Sequence, residues 1–149
     1  MPKTIVMCPP THFDVEYELS TNEWMDKSVR PDKELAQSQW QALYDACLRA
    51  GLKVLLMKPE MGLPDLTFAA NAGLPWKKKF ILSRFFHAER ELESNPNTHF
   101  FSELYGEENL GKPPENAFFE GQGDALWINE KQLLIGYGIR TNPAGILAV

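Results

Sequence analysis

Apolar and polar residues recur along this chain with two periods, and the switches between them lay out its elements. Residues 4–7 (TIVM) are a short apolar run closed by Cys8-Pro9-Pro10, which predicts a strand. Residues 13–19 alternate Phe, Val, Tyr and Leu with polar neighbours, the pattern of a half-buried strand. Residues 20–30, STNEWMDKSVR, hold no period and read as a loop. From Pro31 to Ala50 the apolar positions Leu35, Ala36, Trp40, Leu43, Tyr44 and Cys47 recur at three- and four-residue spacing. That spacing predicts a helix, ended by Gly51. Residues 54–57 predict a buried strand stopped by Pro59.

After Gly62-Leu63-Pro64, residues 66–74 and 80–85 predict two strands joined by a turn at Lys77-Lys78-Lys79. Residues 86–93 start helically, and 100–105 continue helical structure beyond a turn around Asn95-Pro96-Asn97. A loop at 111–114 and a short strand at 117–120 lead to a second pair of strands, 124–128 and 132–137, which turn at Asn129-Glu130-Lys131. The two hairpins align, with Asn71-Ala72-Gly73-Leu74 falling on Asp124-Ala125-Leu126 at a step of about 53 residues. A repeated strand–strand–helix–strand unit of that length suggests a circular array of blades.

Composition narrows the class. A chain of 149 residues with 44% hydrophobic residues can bury a core. A net charge of −5 gives no electrostatic case for nucleic acid or an anionic membrane. No apolar run approaches the ~20 residues that span a bilayer. The N-terminus lacks a signal peptide's apolar stretch, and two cysteines are too few for a disulfide scaffold and lack metal-type spacing. The expectation is a cytoplasmic protein.

The candidate chemistry gathers at the second hairpin, FFEGQGDALWINEKQLLIGYGIR. Glu120 and Asp124 stand beside glycines at its start, and Arg140 stands at its far end. Acid at one end and base at the other suit a small zwitterion with a cationic head. The segment from Leu63 to Arg90 repeats that logic. Each residue also has a plainer reading: Glu120 and Asp65 as turn acids, Arg140 as a surface charge, Arg90 in AERELE as part of an exposed helix face, Asn71 and Phe68 as strand-end and core residues.

The segments MCPPTHFDVEY, NEWM, LPDLTFAANAGL, ILSRFFHAER, FFEGQGDALW and GYGIRT together resemble the guanidine-modifying, or pentein, superfamily. The nearest likeness is to its arginine dihydrolase, amidinotransferase-like and dimethylarginine dimethylaminohydrolase branches. The resemblance implies an α/β fold of ββαβ blades around a pseudo-fivefold axis, in a domain of roughly twice this length. Residues 1–149 would then be the N-terminal half of such a domain, a partial β/α-propeller of about 2.8 of five blades.

The resemblance also implies roles. Glu120 and Asp65 would meet a guanidinium, whose planar fork of donors suits carboxylates. Phe68 would lie against the ligand's flat face or its methylene stem. Asn71 stands where deiminase-like members carry an aspartate, a departure that fits the dihydrolase branch better. Arg90 and Arg140 would grip the α-carboxylate, Asn22 would sit on a closing loop, and Asp124 would touch the ligand or brace the glycine turn. No metal or organic cofactor is implied.

The nucleophilic cysteine and general-base histidine of the family lie downstream of the GYGIRT-type segment. TNPAGILAV, which follows Arg140, contains neither. Cys8 and Cys47 read as packing residues, and His12, His87 and His99 lack a partner marking a catalytic pair. The leading expectation is the substrate-binding half of an arginine-type hydrolase or amidinotransferase-like enzyme, inactive alone. It would self-associate or pair with a complementary C-terminal half. The alternative is a noncatalytic arginine-binding or assembly module on a retired enzyme scaffold.

Overall fold

Asp32 and Gly51 set the limits of the longest helix. In the computed structural model, which describes residues 3–20 and 22–149, helix α1 (Lys33–Arg49) starts where the Asp32 carboxylate accepts from the Leu35 amide at 2.9 Å. That bond satisfies one of the orphan N–H groups of the first turn. The helix ends at Gly51, whose φ is +76°. The Gly51 amide bonds to the Leu48 carbonyl and the Leu52 amide to that of Cys47, the paired bonds of a Schellman cap. The chain returns as β2 (Lys53–Leu56), parallel to β1 (Thr4–Met7) in the register Thr4↔Lys53 to Met7↔Leu56. These elements belong to the first of two compact units, which ends at Ala69.

Residues 13–19 are not a strand. Side chains take up backbone groups there that a ladder would need: the Asp14 carboxylate accepts from the Val15 amide at 2.9 Å, and Arg30 donates to the Val15 carbonyl. Asp14 is itself buried and paired with Arg30 at 3.1 Å and Lys33 at 3.0 Å. The Lys33 ammonium, then the Val15 amide and Arg30, hold its carboxyl below the usual range against the effect of burial. Residues 66–72 are not extended either. Pro64–Thr67 and Ala69–Ala72 are 3₁₀ turns, so the expected strand shrinks to β3 (Gly73–Trp76).

The second unit, from Ala70 onward, is built on two hairpins. β3 pairs antiparallel with β4 (Lys79–Leu82) through a turn in which Lys77 takes a φ of +54°. Helices α2 (Ala88–Glu91) and α3 (Ser94–Tyr105) follow, and Phe101 of α3 stacks on Phe80 of β4 with ring centroids 3.7 Å apart. Asn95-Pro96-Asn97 lies inside α3, not in a turn before it; in a helix's first turn the missing proline N–H leaves no bond unmade. Gly111, expected in a loop, belongs to β5 (Leu110–Gly111), which adds to β4 in parallel. The expected strand at 117–120 is reduced to one bridge between Arg84 and Phe119.

The second hairpin joins β6 (Ala125–Asn129) and β7 (Gln132–Ile135). Leu74, Phe119 and Ala125 form its buried core, packed by Ile81, Trp127, Leu133, Ile135 and Val149. A short final helix, α4 (Pro143–Ala148), was not anticipated. Its cap is Asn142, whose side-chain oxygen accepts from the amides of Gly145 at 2.8 Å and Phe118 at 3.1 Å.

Gly121 is where this unit depends on glycine. Its φ is +60°, and a Cβ would lie 2.7 Å from both the amide nitrogen and the carbonyl oxygen of Gly73. Left-handed backbone alone costs a residue with a Cβ about 1–2 kcal/mol, and backbone neighbours cannot swing aside. Gly121→Ala is therefore expected to lower the melting temperature by at least about 3 °C in a thermal scan.

Candidate functional site

The bridge between Arg84 and Phe119 fixes what comes next in both strands. Their reciprocal backbone bonds, at 2.9 and 3.0 Å, hold Glu120 next to the bridge, with its side chain within reach of the Phe86 amide. Glu120 is completely buried. One carboxylate oxygen accepts from the Phe86 amide at 3.4 Å. The other, Oε2, has no hydrogen-bond partner among the described residues. It faces two guanidinium groups at longer range, Arg140 Nη1 at 3.6 Å and Arg90 Nη1 at 3.8 Å.

Those arginines are held by acids of their own. Arg90, buried, donates from Nε and Nη2 to the two oxygens of Glu93 at 2.7 and 2.8 Å, a forked pair. Its Nη1 reaches the Asn71 side-chain oxygen at 3.2 Å, and its guanidinium lies 4.7 Å from the Phe85 ring centroid. Asn71 in turn donates to the Glu120 carbonyl at 3.3 Å. Arg140 donates to the Asp124 carboxylate and to the Gly123 carbonyl at 3.2 Å. The other Asp124 oxygen accepts from the Thr141 hydroxyl at 2.7 Å.

Charge does not balance inside this cluster. Glu93 serves Arg90 and Asp124 serves Arg140, which leaves the Glu120 carboxylate as the surplus charge. Burial pushes the Glu120 pKa above the usual carboxylate value, although Arg90, Arg140 and the Phe86 amide pull it down.

Of the expected site residues, the structure brings together Asn71, Arg90, Glu120, Asp124 and Arg140. Asn22, Asp65 and Phe68 belong to the first unit. Asp65 is buried in the 3₁₀ turn and accepts from the Tyr17 hydroxyl at 2.9 Å. Phe68 is half exposed and meets Phe13 edge-to-face at 5.8 Å. Asn22 lies in an exposed turn where its side chain accepts from the Trp24 amide at 3.2 Å. The expectation that Arg90 grips a ligand carboxylate meets a fork that Glu93 already holds on two nitrogens. Asp124 turns out to brace Arg140 and Thr141.

Two members were not foreseen. Glu93 could have been found from its three-residue spacing to Arg90, which puts both on one helical face. Thr141 carries no signal beyond its place after Arg140. A separate cleft of about 690 Å³, lined by Arg84, Phe86, Ser94, Thr98, Lys112 and Phe118 among others, includes none of the clustered ionic residues. Among the described residues, no group of three or more His, Cys, Asp or Glu is placed to hold a metal ion.

No protein-family model matches the chain. It is 39% identical over 142 residues to the bifunctional arginine dihydrolase/ornithine cyclodeaminase ArgZ of Synechocystis sp., covering 92% of this chain and 19% of that protein. It is 38% identical over 138 residues to N(G),N(G)-dimethylarginine dimethylaminohydrolase of Mycobacterium tuberculosis, covering 91% of this chain and 43% of that protein. Its fold matches the product-bound N-terminal domain of ArgZ with a TM-score of 0.85 at 35% identity, over 96% of this chain and 51% of that one.

The chain is a homologue of the guanidine-modifying, pentein enzymes. Another pentein homologue, AgrE in complex with L-arginine, matches with a TM-score of 0.85 at 35% identity, over 95% of this chain and 21% of that one. This chain spans about half of the solved ArgZ domain and less than half of either relative matched by sequence.

Proposed function

We propose that this chain is the substrate-binding portion of an arginine or related guanidino-compound hydrolase. The observation that carries the reading is Glu120, a fully buried carboxylate with one oxygen accepting no hydrogen bond. A guanidinium supplies what that oxygen lacks, forked N–H donors within hydrogen-bond reach. Arg140 is a third exposed, and its own acid and carbonyl partners hold it in place. It is assigned to the ligand's α-carboxylate. Asn71 and Arg90 are assigned to positioning Glu120. For Asn22, Asp65 and Phe68 the support is the resemblance alone.

We read residues 1–149 as one incomplete pentein domain, with the two hairpins as successive blades of a partial β/α-propeller of about 2.8 of five blades. Guanidine cleavage in this family needs a thiolate that can reach the guanidinium carbon. Both cysteines are buried, Cys47 on the packed side of α1. The 149-residue polypeptide by itself is therefore expected to release neither ornithine nor ammonia from arginine in a colorimetric assay. The attacking group belongs to polypeptide equivalent to the rest of the relatives' domain. No helix among the described residues is long and apolar enough to cross a membrane, and the cytoplasm is the compartment assigned.

Agmatine, which is arginine without its carboxylate, tests the two ends separately. By calorimetry the chain is expected to bind arginine at least about tenfold more tightly than agmatine, the worth of a charge-assisted pair. Arg140→Gln is expected to erase that preference. An unaltered ratio in the variant would remove Arg140 from the site.

A further inference from the structure

Thr141 is a polar residue that the ligand assignments leave without a task. It is 1% exposed, so its hydroxyl has to find its partner inside the protein. That partner is Asp124, at 2.7 Å, through the carboxylate oxygen that Arg140 does not use. Asp124 is thus held at both oxygens, by a hydroxyl on one side and a guanidinium on the other.

The backbone around this relay is pinned. The Asp124 amide donates to the Gly121 carbonyl at 3.1 Å, and its carbonyl accepts from Gly136 at 2.8 Å. The Thr141 carbonyl accepts from the Gly138 amide at 2.8 Å, and the next amide, of Asn142, donates to the Phe118 carbonyl at 3.2 Å. These bonds leave two freedoms open: rotation of the Asp124 carboxylate, a broad and roughly two-fold torsion, and the long stem of Arg140, whose side chain is 32% exposed. A carboxylate free to turn would let the guanidinium swing with it. Thr141 is β-branched and stiff at its first torsion, so its hydroxyl is a fixed donor that closes the Asp124 rotation. The other hold on Arg140, the Gly123 carbonyl at 3.2 Å, meets the same Nη2 and leaves Nη1 to face Glu120 at 3.6 Å, beyond hydrogen-bond length.

We propose that Thr141 is a positioning residue that sets ligand specificity: acting through Asp124, its hydroxyl fixes the direction of the Arg140 guanidinium, and with it the preference for guanidino compounds that carry an α-carboxylate. The inference rests on the assignment of Arg140 to that carboxylate. An arginine ordered before the ligand arrives loses less freedom on binding. Removing the hydroxyl leaves both charges, Asp124 and Arg140, in place, so the ion pair survives and only its direction is released.

The test titrates the parent chain, Thr141→Val and Thr141→Ser with arginine and with agmatine by calorimetry, each variant checked for folding by circular dichroism. Thr141→Val is expected to cut the preference for arginine from about tenfold to below about threefold, while Thr141→Ser, which keeps the hydroxyl, retains it. Thr141→Ala, a second variant without the hydroxyl, is expected to behave as Thr141→Val does. The inference is overturned by a Thr141→Val chain with the parent's preference. It is equally overturned by one that loses affinity for both ligands alike, the mark of a merely structural role. A second measurement needs no ligand: rotation of the Arg140 guanidinium about its Nε–Cζ bond, followed by nitrogen exchange NMR. It is expected to quicken at least about threefold in Thr141→Val and not in Thr141→Ser. A parent chain that does not prefer arginine sinks the assignment of Arg140, and the rotation then decides the brace by itself; unaltered rotation in Thr141→Val overturns it.

Discussion

Glu120→Gln is expected to abolish arginine binding while leaving the chain as stable as before, or more so. The usual outcome of altering a buried charge is lost stability, because a partner is stranded. Here neither arginine is stranded, since Arg90 keeps Glu93 and Arg140 keeps Asp124. What disappears is the one carboxylate whose Oε2 accepts no hydrogen bond and whose burial raises its pKa. Gln cannot neutralise a guanidinium, so the dissociation constant is expected to rise at least ~100-fold, about 2.7 kcal/mol.

The same substitution has a pH signature. The folded state holds a proton on Glu120 at pH values where the unfolded chain has released it. Glu120 therefore contributes stability that is fully present below its ordinary pKa of 4.5 and is lost as pH rises through the raised folded value. Denaturant unfolding followed from pH 4 to pH 8 is expected to show that decline in the parent chain and to lack it in Glu120→Gln. A variant that binds arginine normally, or that loses several kcal/mol of stability, would contradict the role given to Glu120.

Glu93→Gln is expected to be the most destabilising single change in the cluster. Arg90 and Glu93 are both buried and share two short bonds. Removing Glu93 takes both short charge-assisted bonds from a buried guanidinium, and breaking such a buried pair costs about 3–5 kcal/mol. For a chain of this length that lowers the melting temperature by roughly 6–20 °C. Adding Arg90→Met to Glu93→Gln removes the guanidinium that has lost its forked acid and is expected to recover part of the loss, which a double-mutant cycle in urea would measure. A Glu93→Gln chain within about 1 kcal/mol of the parent would show that Arg90 is solvated or otherwise neutralised.

The contrast between Glu120 and Glu93 also shows where the sequence was informative. Glu120, Asp124 and Arg140 announced themselves because acids beside glycines and an isolated arginine break the apolar pattern of a hairpin. Glu93 did not, because AERELE carries the charge alternation of a solvated helix face and only tertiary packing buries Arg90 and Glu93. Helix α1 was legible through its period and its stop at Gly51, signals that act within a few residues. Both hairpin turns were legible for the same reason.

The segments 13–19 and 66–72 were misread for a shared cause. Their apolar residues alternate as in a strand, but alternation records only which side chains avoid water. In the first segment Asp14 and Arg30 take backbone groups; in the second the bonds are local, as between the Phe68 amide and the Asp65 carbonyl at 2.9 Å. The inward turn of Asp65 follows from that 3₁₀ geometry, which the spacing alone does not encode.

The assignment as a whole stands on whether Glu120 and Arg140 recognise the two charged ends of one small molecule. Isothermal titration of the 149-residue chain at neutral pH with arginine, and with citrulline, whose ureido side chain is neutral, measures this directly. One molecule of arginine bound per chain, with citrulline at least about 100-fold weaker, is the result predicted from a buried carboxylate meeting a guanidinium. Equal binding of the two, or heat from neither, would contradict it.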